Sequence, residues 1–386
     1  MSIDSAFLDR VRSRVSAGDA LEVAVDAAAR SSGVVLGSSA LASTARTVRG
    51  ELFGAGPLQP LLDDLDVTDV LVNGPGDVWV ERGGRLVRAA VDLGSEGDVR
   101  ALAVRLAAAG GQRLDDAAPT VDARLPDGTR LHAVLPPVAE AGVLISLRVV
   151  RARALTLEEL LRSGTIAPGL VPVVRALVSA KANVLISGAT GCGKTTLLAF
   201  LLSLVPDTER IVVIEEAGEL RPDHPHVVRL VARRPNVDGA GGVGLSELVR
   251  TALRMRPDRI VLGECRGAEV RDVLTALNTG HDGGFATLHA NAAVDVPARL
   301  EALAALAGMS RDAVAAQAAS ALDAVLHLRR SRADHGQRYL AEVGVVRRAD
   351  SGALEVVDAV RADPGGTCLD GPGWPALAER LGLRSR

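Results

Sequence analysis

Lysine is almost missing from this chain of 386 residues: of its 44 basic residues only Lys181 and Lys194 are lysines, and the rest are arginines. Aromatic side chains are nearly as scarce, at 2%. Base stacking on Phe, Tyr or Trp can therefore hardly be a main mode of binding, which weakens a nucleic-acid reading. An excess of positive charge is lacking as well. At a net charge of -3 no global attraction to nucleic acid or anionic lipid follows, although a local arginine patch can still form. The three cysteines, Cys192, Cys265 and Cys368, are odd in number and widely spaced, so they form neither a CxxC pair nor a disulfide framework, and a reducing compartment is the simplest setting. No window approaches about 18 uncharged apolar residues, and the start MSIDSAFLDRVRSRV is acidic where a secretory signal needs a basic end. The expectation is a soluble chain whose contact with any membrane is peripheral.

What is present is a large stock of core residues, 48% hydrophobic and dominated by Ala, Leu and Val, in a length that suggests two domains with a helical appendage. Residues 1–50 have apolar positions three to four apart, which suits one or two amphipathic helices interrupted at Ser31 to Gly37. Residues 51–150 read as a small α+β domain, with a strand, turn, strand, strand pattern in VTDVLVNGPGDVWVERGGRLV and a hairpin in VDARLPDGTRLHAVLPP turning at Pro126, Asp127 and Gly128. From residue 151 to 360 the pattern is α/β: ANVLISG, ERIVVIEE and RPDRIVLGE are short apolar runs ending in glycine or a carboxylate, as buried parallel strands do. Ala292 to His327 reads as mostly alanine-rich helix, and residues 361–386 as a flexible tail.

Lys194 has a reason to be a lysine. Gly188, Gly193, Lys194 and Thr195 satisfy G-x-x-x-x-G-K-[ST], between the apolar run Val184 to Ile186 and the helical TTLLAFLLSLV. In that context the backbone N–H groups of Gly188, Ala189, Thr190, Gly191, Cys192, Gly193, Lys194, Thr195 and Thr196 would wrap a phosphate, and the Thr195 hydroxyl would reach Mg²⁺. A compact ammonium fits among phosphate oxygens, whereas a planar guanidinium needs a fork geometry that a closed loop lacks. Cys192 is a small filler in this reading.

Carboxylates and histidines surround the loop in sequence. RIVLGE ends in Glu264, placed to orient or deprotonate an attacking water, and IVVIEE ends in Glu215 and Glu216. The stretch TGHDGGFATLHAN holds His281 and His289, whose spacing supports a core histidine or a γ-phosphate sensor better than a metal site. Arg250, Arg254, Arg256 and Arg259 precede RIVLGE and make a solvated basic face, or supply one or two fingers that reach nucleotide across a boundary.

Four blocks in order, GATGCGKT, IEEAGEL, RMRPDRIVLGECRG and TGHDGGFATLHAN, resemble the type II/IV secretion ATPase superfamily, most closely its CpaF-like branch of Tad or Flp pilus-assembly ATPases. The resemblance spans roughly residues 50 to 345. It implies a RecA-like P-loop ATPase domain behind a smaller N-terminal α+β domain, ATP with Mg²⁺ at the cleft, a homohexamer, and an inner-membrane platform protein as partner at the cytoplasmic face, with no nucleic acid. It implies catalytic roles for Glu264, Lys194, Glu215, Glu216 and His289, metal contacts from Thr195 and Glu216, and nucleotide contacts from Arg130, Arg148 and His281. Glu216 departs from the Glu-Asp pair usual in that branch. Three other readings stay open at this level: a nucleic-acid-translocating RecA-like ATPase, a small-molecule P-loop kinase, and a nucleotide-binding scaffold without turnover.

Overall fold

Two hydrophobic periods divide the chain, one of antiparallel alternation and one of continuous apolar runs, and each builds its own unit. The computed structural model describes residues 5–64, 66–83, 85–149, 154–233, 240–331 and 336–383. Two compact units result, Met1–Val150 and Arg151–Arg386.

The first unit opens with three helices, α1 (Ser5–Ser16), α2 (Leu21–Ser31) and α3 (Ser38–Phe53), which pack on one another. Phe7 and Val11 share one face of α1, and Val25, Ala28 and Ala29 one face of α2; with Ala45 and Val48 they bury a small core. The expected one or two helices are thus three. The missed break lies at Gly18, whose φ of +104° ends α1, and α3 continues past residue 50.

A short helix α4 (Gln59–Asp63) leads to a six-stranded antiparallel sheet. Its strands are β1 (Val67–Val72), β2 (Val78–Arg82), β3 (Arg85–Ala89), β4 (Thr120–Arg124), β5 (Arg130–Val134) and β6 (Leu144–Arg148), in the order β3-β2-β1-β6-β5-β4. Strict alternation gives the sheet one apolar face, where Val72, Val78, Val121, Ala133 and Ile145 meet helix α5 (Glu96–Ala109). On the other face Arg124, Arg130 and Arg148 are successive partners across β4, β5 and β6. The register continues to Asp69 and Glu81, so the row changes sign from arginine to carboxylate.

The second unit begins with α6 (Leu157–Arg162) and α7 (Val171–Ser179). Then strands and helices alternate: β7 (Val184–Gly188), α8 (Lys194–Ser203), β8 (Ile211–Glu215), β9 (Val227–Val231), α9 (Leu245–Ala252), β10 (Arg259–Cys265), α10 (Val270–Leu277), β11 (Phe285–Leu288), α11 (Val296–Leu306) and α12 (Arg311–Ala321). The chain closes with β12 (Ala324–Arg330), β13 (Arg338–Arg348), β14 (Leu354–Ala362), β15 (Cys368–Asp370) and α13 (Trp374–Leu381). The sheet order is β15-β14-β13-β12-β7-β11-β10-β8-β9. From β12 to β9 all neighbours are parallel, and β13, β14 and β15 extend the sheet antiparallel. The parallel strands carry unbroken apolar runs because helices cover both faces, α7, α8 and α13 on one and α9 to α12 on the other.

Three expectations are corrected here. The alanine-rich stretch stops being helical at Ala321, and His327 lies on β12, since the short run AVLHL is claimed by pairing with β7. The expected flexible tail at 361–386 is ordered through residue 383, its last three residues lying outside the described ones: β14 ends at Ala362, β15 and α13 follow, and Trp374, Leu377, Ala378 and Leu381 are buried in the core shared with α7 and α8. Arg259 does not belong to a solvated face. It is 1% exposed, with Nε 2.7 Å from Glu209 and Nη2 donating to the Val178 carbonyl at 3.0 Å. Among the described residues no helix is long and apolar enough to cross a membrane.

Candidate nucleotide site

The parallel strands β7, β8, β10 and β11 end on one edge of the second sheet, which gathers Gly188, Glu215, Glu264 and His289 from four segments. This edge lies where the chain leaves β7 between neighbours on opposite sides, the position at which open α/β sheets hold their ligands.

The loop from Gly188 to Gly193 is built for an anion. A Cβ on Gly188 would lie 2.5 Å from both the Leu328 carbonyl oxygen and the Cys192 sulfur, so only glycine lets the loop sit this close to β12. Gly193, at φ +100°, is the N-cap of α8 and offers no side chain to its first turn, which leaves those N–H groups facing into the loop. Lys194 is 7% exposed, and its ammonium donates to the Gly188 and Ala189 carbonyls at 3.0 Å each. Thr195 follows it with an exposed hydroxyl. Cys192 is buried, and burial pushes its thiol above the ordinary value, so it fills space and does not react.

His289 joins this loop to the end of β10, where Glu264 stands. Its Nδ1 lies 3.3 Å from the Lys194 ammonium, and its Nε2 is 2.7 Å from Glu264 Oε1. An ammonium can only donate, so Nδ1 accepts and the ring proton belongs on Nε2, facing the carboxylate. The second contact is short but poorly aligned, leaving Glu264 Oε1 without a well-formed hydrogen bond. Burial, and then the Lys194 charge, lower the His289 pKa against the pull of Glu264, which keeps the imidazole neutral near pH 7. For Glu264, burial alone would raise the pKa. Arg266, His289 and Lys194 outweigh it and hold the carboxyl below the ordinary glutamate value.

Arg266 was not singled out by the sequence reading, although it stands two residues after Glu264. Its Nη2 donates to Glu264 Oε2 at 2.7 Å and its Nη1 to Glu216 Oε2 at 3.4 Å, linking the two carboxylates. Glu215 has a different task from the one expected of it. It is 6% exposed, and one carboxyl oxygen accepts the N–H groups of Glu219 and Leu220 at 2.8 and 2.9 Å, so it fastens the acidic loop. Burial raises its pKa. His281 sits before β11 starts, on the edge opposite the phosphate loop, so it does not join the site. Arg130 and Arg148 lie in the first unit, as partners across β5 and β6.

The donor set fits a nucleotide phosphate with Mg²⁺. Mg²⁺ keeps several waters and takes one or two protein oxygens beside substrate phosphates. Thr195 would supply one such oxygen and Glu216 a second, its Oε2 lying 3.4 Å from Arg266 Nη1. A cavity of about 770 Å³ opens beside the loop, lined by Thr190, His289, Asn291, Asp295 and Arg299 among others.

The family model described as type II/IV secretion system protein matches residues 51–362. The chain belongs to that family. A protein of Mycobacterium tuberculosis named for conjugal transfer is 50% identical over 337 residues, covering 86% of this chain and 95% of the relative. The type IV secretion system protein PtlH of Bordetella pertussis is 35% identical, over 61% of this chain and 76% of its own length. The conjugal transfer protein TrbB of Rhizobium radiobacter is 30% identical, over 70% and 81% respectively. Among solved structures, the pilus retraction motor PilT with bound ADP matches 76% of this type II/IV secretion chain and 83% of its own, with a TM-score of 0.55 at 20% identity. The Legionella pneumophila ATPase DotB gives 0.50 at 19%, over 76% and 80%. These likenesses establish the fold, a RecA-like domain behind a smaller N-terminal one.

Proposed function

We propose that this type II/IV secretion family member is an ATPase that hydrolyses ATP to ADP and phosphate and turns the reaction into domain motion within a hexameric ring. The observation that carries the reading is the line Lys194, His289, Glu264 at the mouth of the phosphate loop: a phosphate-binding cation, a neutral reporter and an ionised carboxylate in contact. When ATP enters, Lys194 exchanges the Gly188 and Ala189 carbonyls for phosphate oxygens and releases His289 Nδ1. His289 then reports the γ-phosphate to Glu264, which orients or deprotonates the attacking water. The Thr195 hydroxyl, with Glu216 beside it, would hold Mg²⁺, which would supply charge neutralisation at the phosphates. Arg266 keeps Glu264 ionised until water is in place. Arg130 and Arg148 in the first unit provide further cationic contacts to nucleotide.

In this reading the motor serves a Tad or Flp type pilus or a related secretion machine, engages an inner-membrane platform protein, and works at the cytoplasmic face through that partner. Its relatives named for conjugal transfer favour a second assignment, a motor of a conjugation-type secretion channel with the same chemistry. ATP turnover per chain, measured as protein concentration is lowered with light scattering on the same samples, tests the ring. Turnover that collapses as rings dissociate supports sites that borrow residues from a neighbour. Constant turnover in a proven monomer would rule out the hexameric mechanism, and a dependence on single-stranded DNA would move the reading to a nucleic-acid motor.

A further inference from the structure

One polar residue interrupts the apolar strand that lies against the phosphate-loop strand. His327, 1% exposed, stands on β12 directly across from Ser187 in the parallel register. Its Nδ1 lies 2.9 Å from the Ser187 hydroxyl. Ser187 is the residue before Gly188, so this bond is made at the root of the phosphate loop. On the same face of β12, Val325 belongs to the core formed with α11 and α12, and β12 touches the turn Ala293–Asp295 that follows the His289 loop. His327 Nε2 is buried there and makes no hydrogen bond. The Asn291 backbone, two residues after His289, is the nearby group that favours a proton on the ring, joined by the Asp295 charge, while Arg329 and Lys194 oppose it. Burial outweighs all of these and keeps the ring neutral.

A neutral ring that accepts from Ser187 at Nδ1 carries its proton on Nε2. That proton points into the face where the Asn291 segment lies, and the Asn291 backbone is the acceptor beside it, without a well-aligned hydrogen bond. A leucine or valine would fill this space without an unsatisfied nitrogen, as the neighbouring positions Val325, Leu326 and Leu328 do. The imidazole is therefore placed to bridge the Ser187 hydroxyl and the Asn291 backbone. We propose that His327 is a positioning residue that couples the phosphate loop to the histidine loop, holding Ser187 with one nitrogen and the Asn291 backbone carbonyl with the other. His289 is thereby held where it meets Lys194 and Glu264 in the nucleotide-free site. This inference rests on the proposed ATPase reading.

The test is a double-mutant cycle between His327→Leu and His289→Ala, read as kcat and KM for Mg-ATP, with thermal melts on every variant. The expected result is a fall in kcat of about tenfold in His327→Leu with KM within about twofold, the size typical when a group that orients a reacting residue is removed. Adding His327→Leu to His289→Ala should then cost nothing further, because the residue it aligns is already gone. Independent losses that multiply, an unchanged kcat, or a change confined to KM would each overturn the coupling. Ser187→Ala enters the same cycle should His327→Leu fail to fold. If the unaltered chain shows no turnover, it is the ATPase reading that fails, and hydrogen exchange in the nucleotide-free protein still decides the linkage. Amides 289–293 should exchange faster in His327→Leu than in the parent, and equal exchange would sink the proposal.

Discussion

The imidazole of His289 and the carboxylate of Glu264 meet at 2.7 Å, across the gap between the ends of β11 and β10. These two strands are parallel neighbours, so their register brings the two segments together, with Glu264 at an irregularity of the ladder between Leu262 and Cys265 and His289 one residue past the end of β11. A site that relies on register is stiff at its root, and movement is left to the side chains and the loops beyond the strands.

Removing the carboxylate charge at Glu264 separates binding from chemistry. Glu264→Gln keeps the shape, so nucleotide affinity should stay within about threefold while kcat falls by a factor of about 100 to 10,000, the range for loss of a general base. Single-turnover ATP hydrolysis beside fluorescent-nucleotide binding measures both. Retained turnover would leave Glu264 as no more than a partner for Arg266.

Lys194→Ala should abolish measurable ATP binding at micromolar protein, an effect of roughly 3 kcal/mol or more for a charge-assisted contact with phosphate. The melting temperature should change little, because the ammonium bonds loop carbonyls and no core group. Lys194→Arg should fail as well, since a planar fork does not fit between Gly188 and Ala189. Isothermal titration with ATP and a thermal melt give the two readings, and tight binding by either variant would contradict the phosphate role.

The pH profile of kcat/KM, which reports groups of the free enzyme, should show an acid limb below pH 6.5. His289 is held below its ordinary value by burial and Lys194, so it stays neutral at pH 7 and gains a proton only in more acidic solution. The cation then repels Lys194 and closes on Glu264, removing the reporter and the base together. His289→Asn should lower kcat and flatten this limb. A profile with its midpoint above 6.5 would contradict the direction of the shift.

Much of this site was legible in the sequence because its parts are contiguous. Gly188 to Thr195 and the strand ending at Glu264 each announce their chemistry within a few residues, and a strand, loop, helix context surrounds the first. What stayed hidden depends on distant pairing. The Glu215 carboxylate looked like a second catalytic acid, and only the fold shows that its oxygen goes to the N–H groups of Glu219 and Leu220. Arg259 looked like surface charge because nothing local reveals Glu209, fifty residues away, as its partner. His327 left one trace, a histidine inside an apolar run, but its meaning depends on Ser187 lying 140 positions earlier. The tail was misjudged for a similar reason, since glycine and proline near 365–375 mark turns between β14, β15 and α13.

Acid should destabilise the second unit through His327. Burial pushes its pKa down to about 4 from 6.5, so the unfolded chain binds the proton first as pH falls. The stabilisation is complete above pH 6.5 and is lost progressively as pH falls toward 4, reaching about 3 kcal/mol at full loss. Urea unfolding at pH 7 and pH 4.5, compared between the parent and His327→Leu, isolates this contribution. The parent should lose more stability than the variant, and parallel losses would place the acid sensitivity elsewhere.

The last helix offers a test of stability at a distance from the reacting groups. Trp374 is 6% exposed and joins Leu377, Ala378 and Leu381 in the core that also holds Leu177 of α7 and Leu201 of α8. Helix α13 is further tied by Arg380, whose Nε donates to Asp323 at 2.8 Å; that pair is half exposed and adds little. Trp374→Ala should therefore cost about 3 to 5 kcal/mol, the usual penalty for emptying a large buried side chain. Denaturant unfolding followed by far-UV circular dichroism measures it. Because α8 carries the phosphate loop at its start and shares this core, nucleotide affinity should fall along with stability. A variant that unfolds as the parent does would mean that residues 363–383 contribute no core, which the packing of α13 argues against.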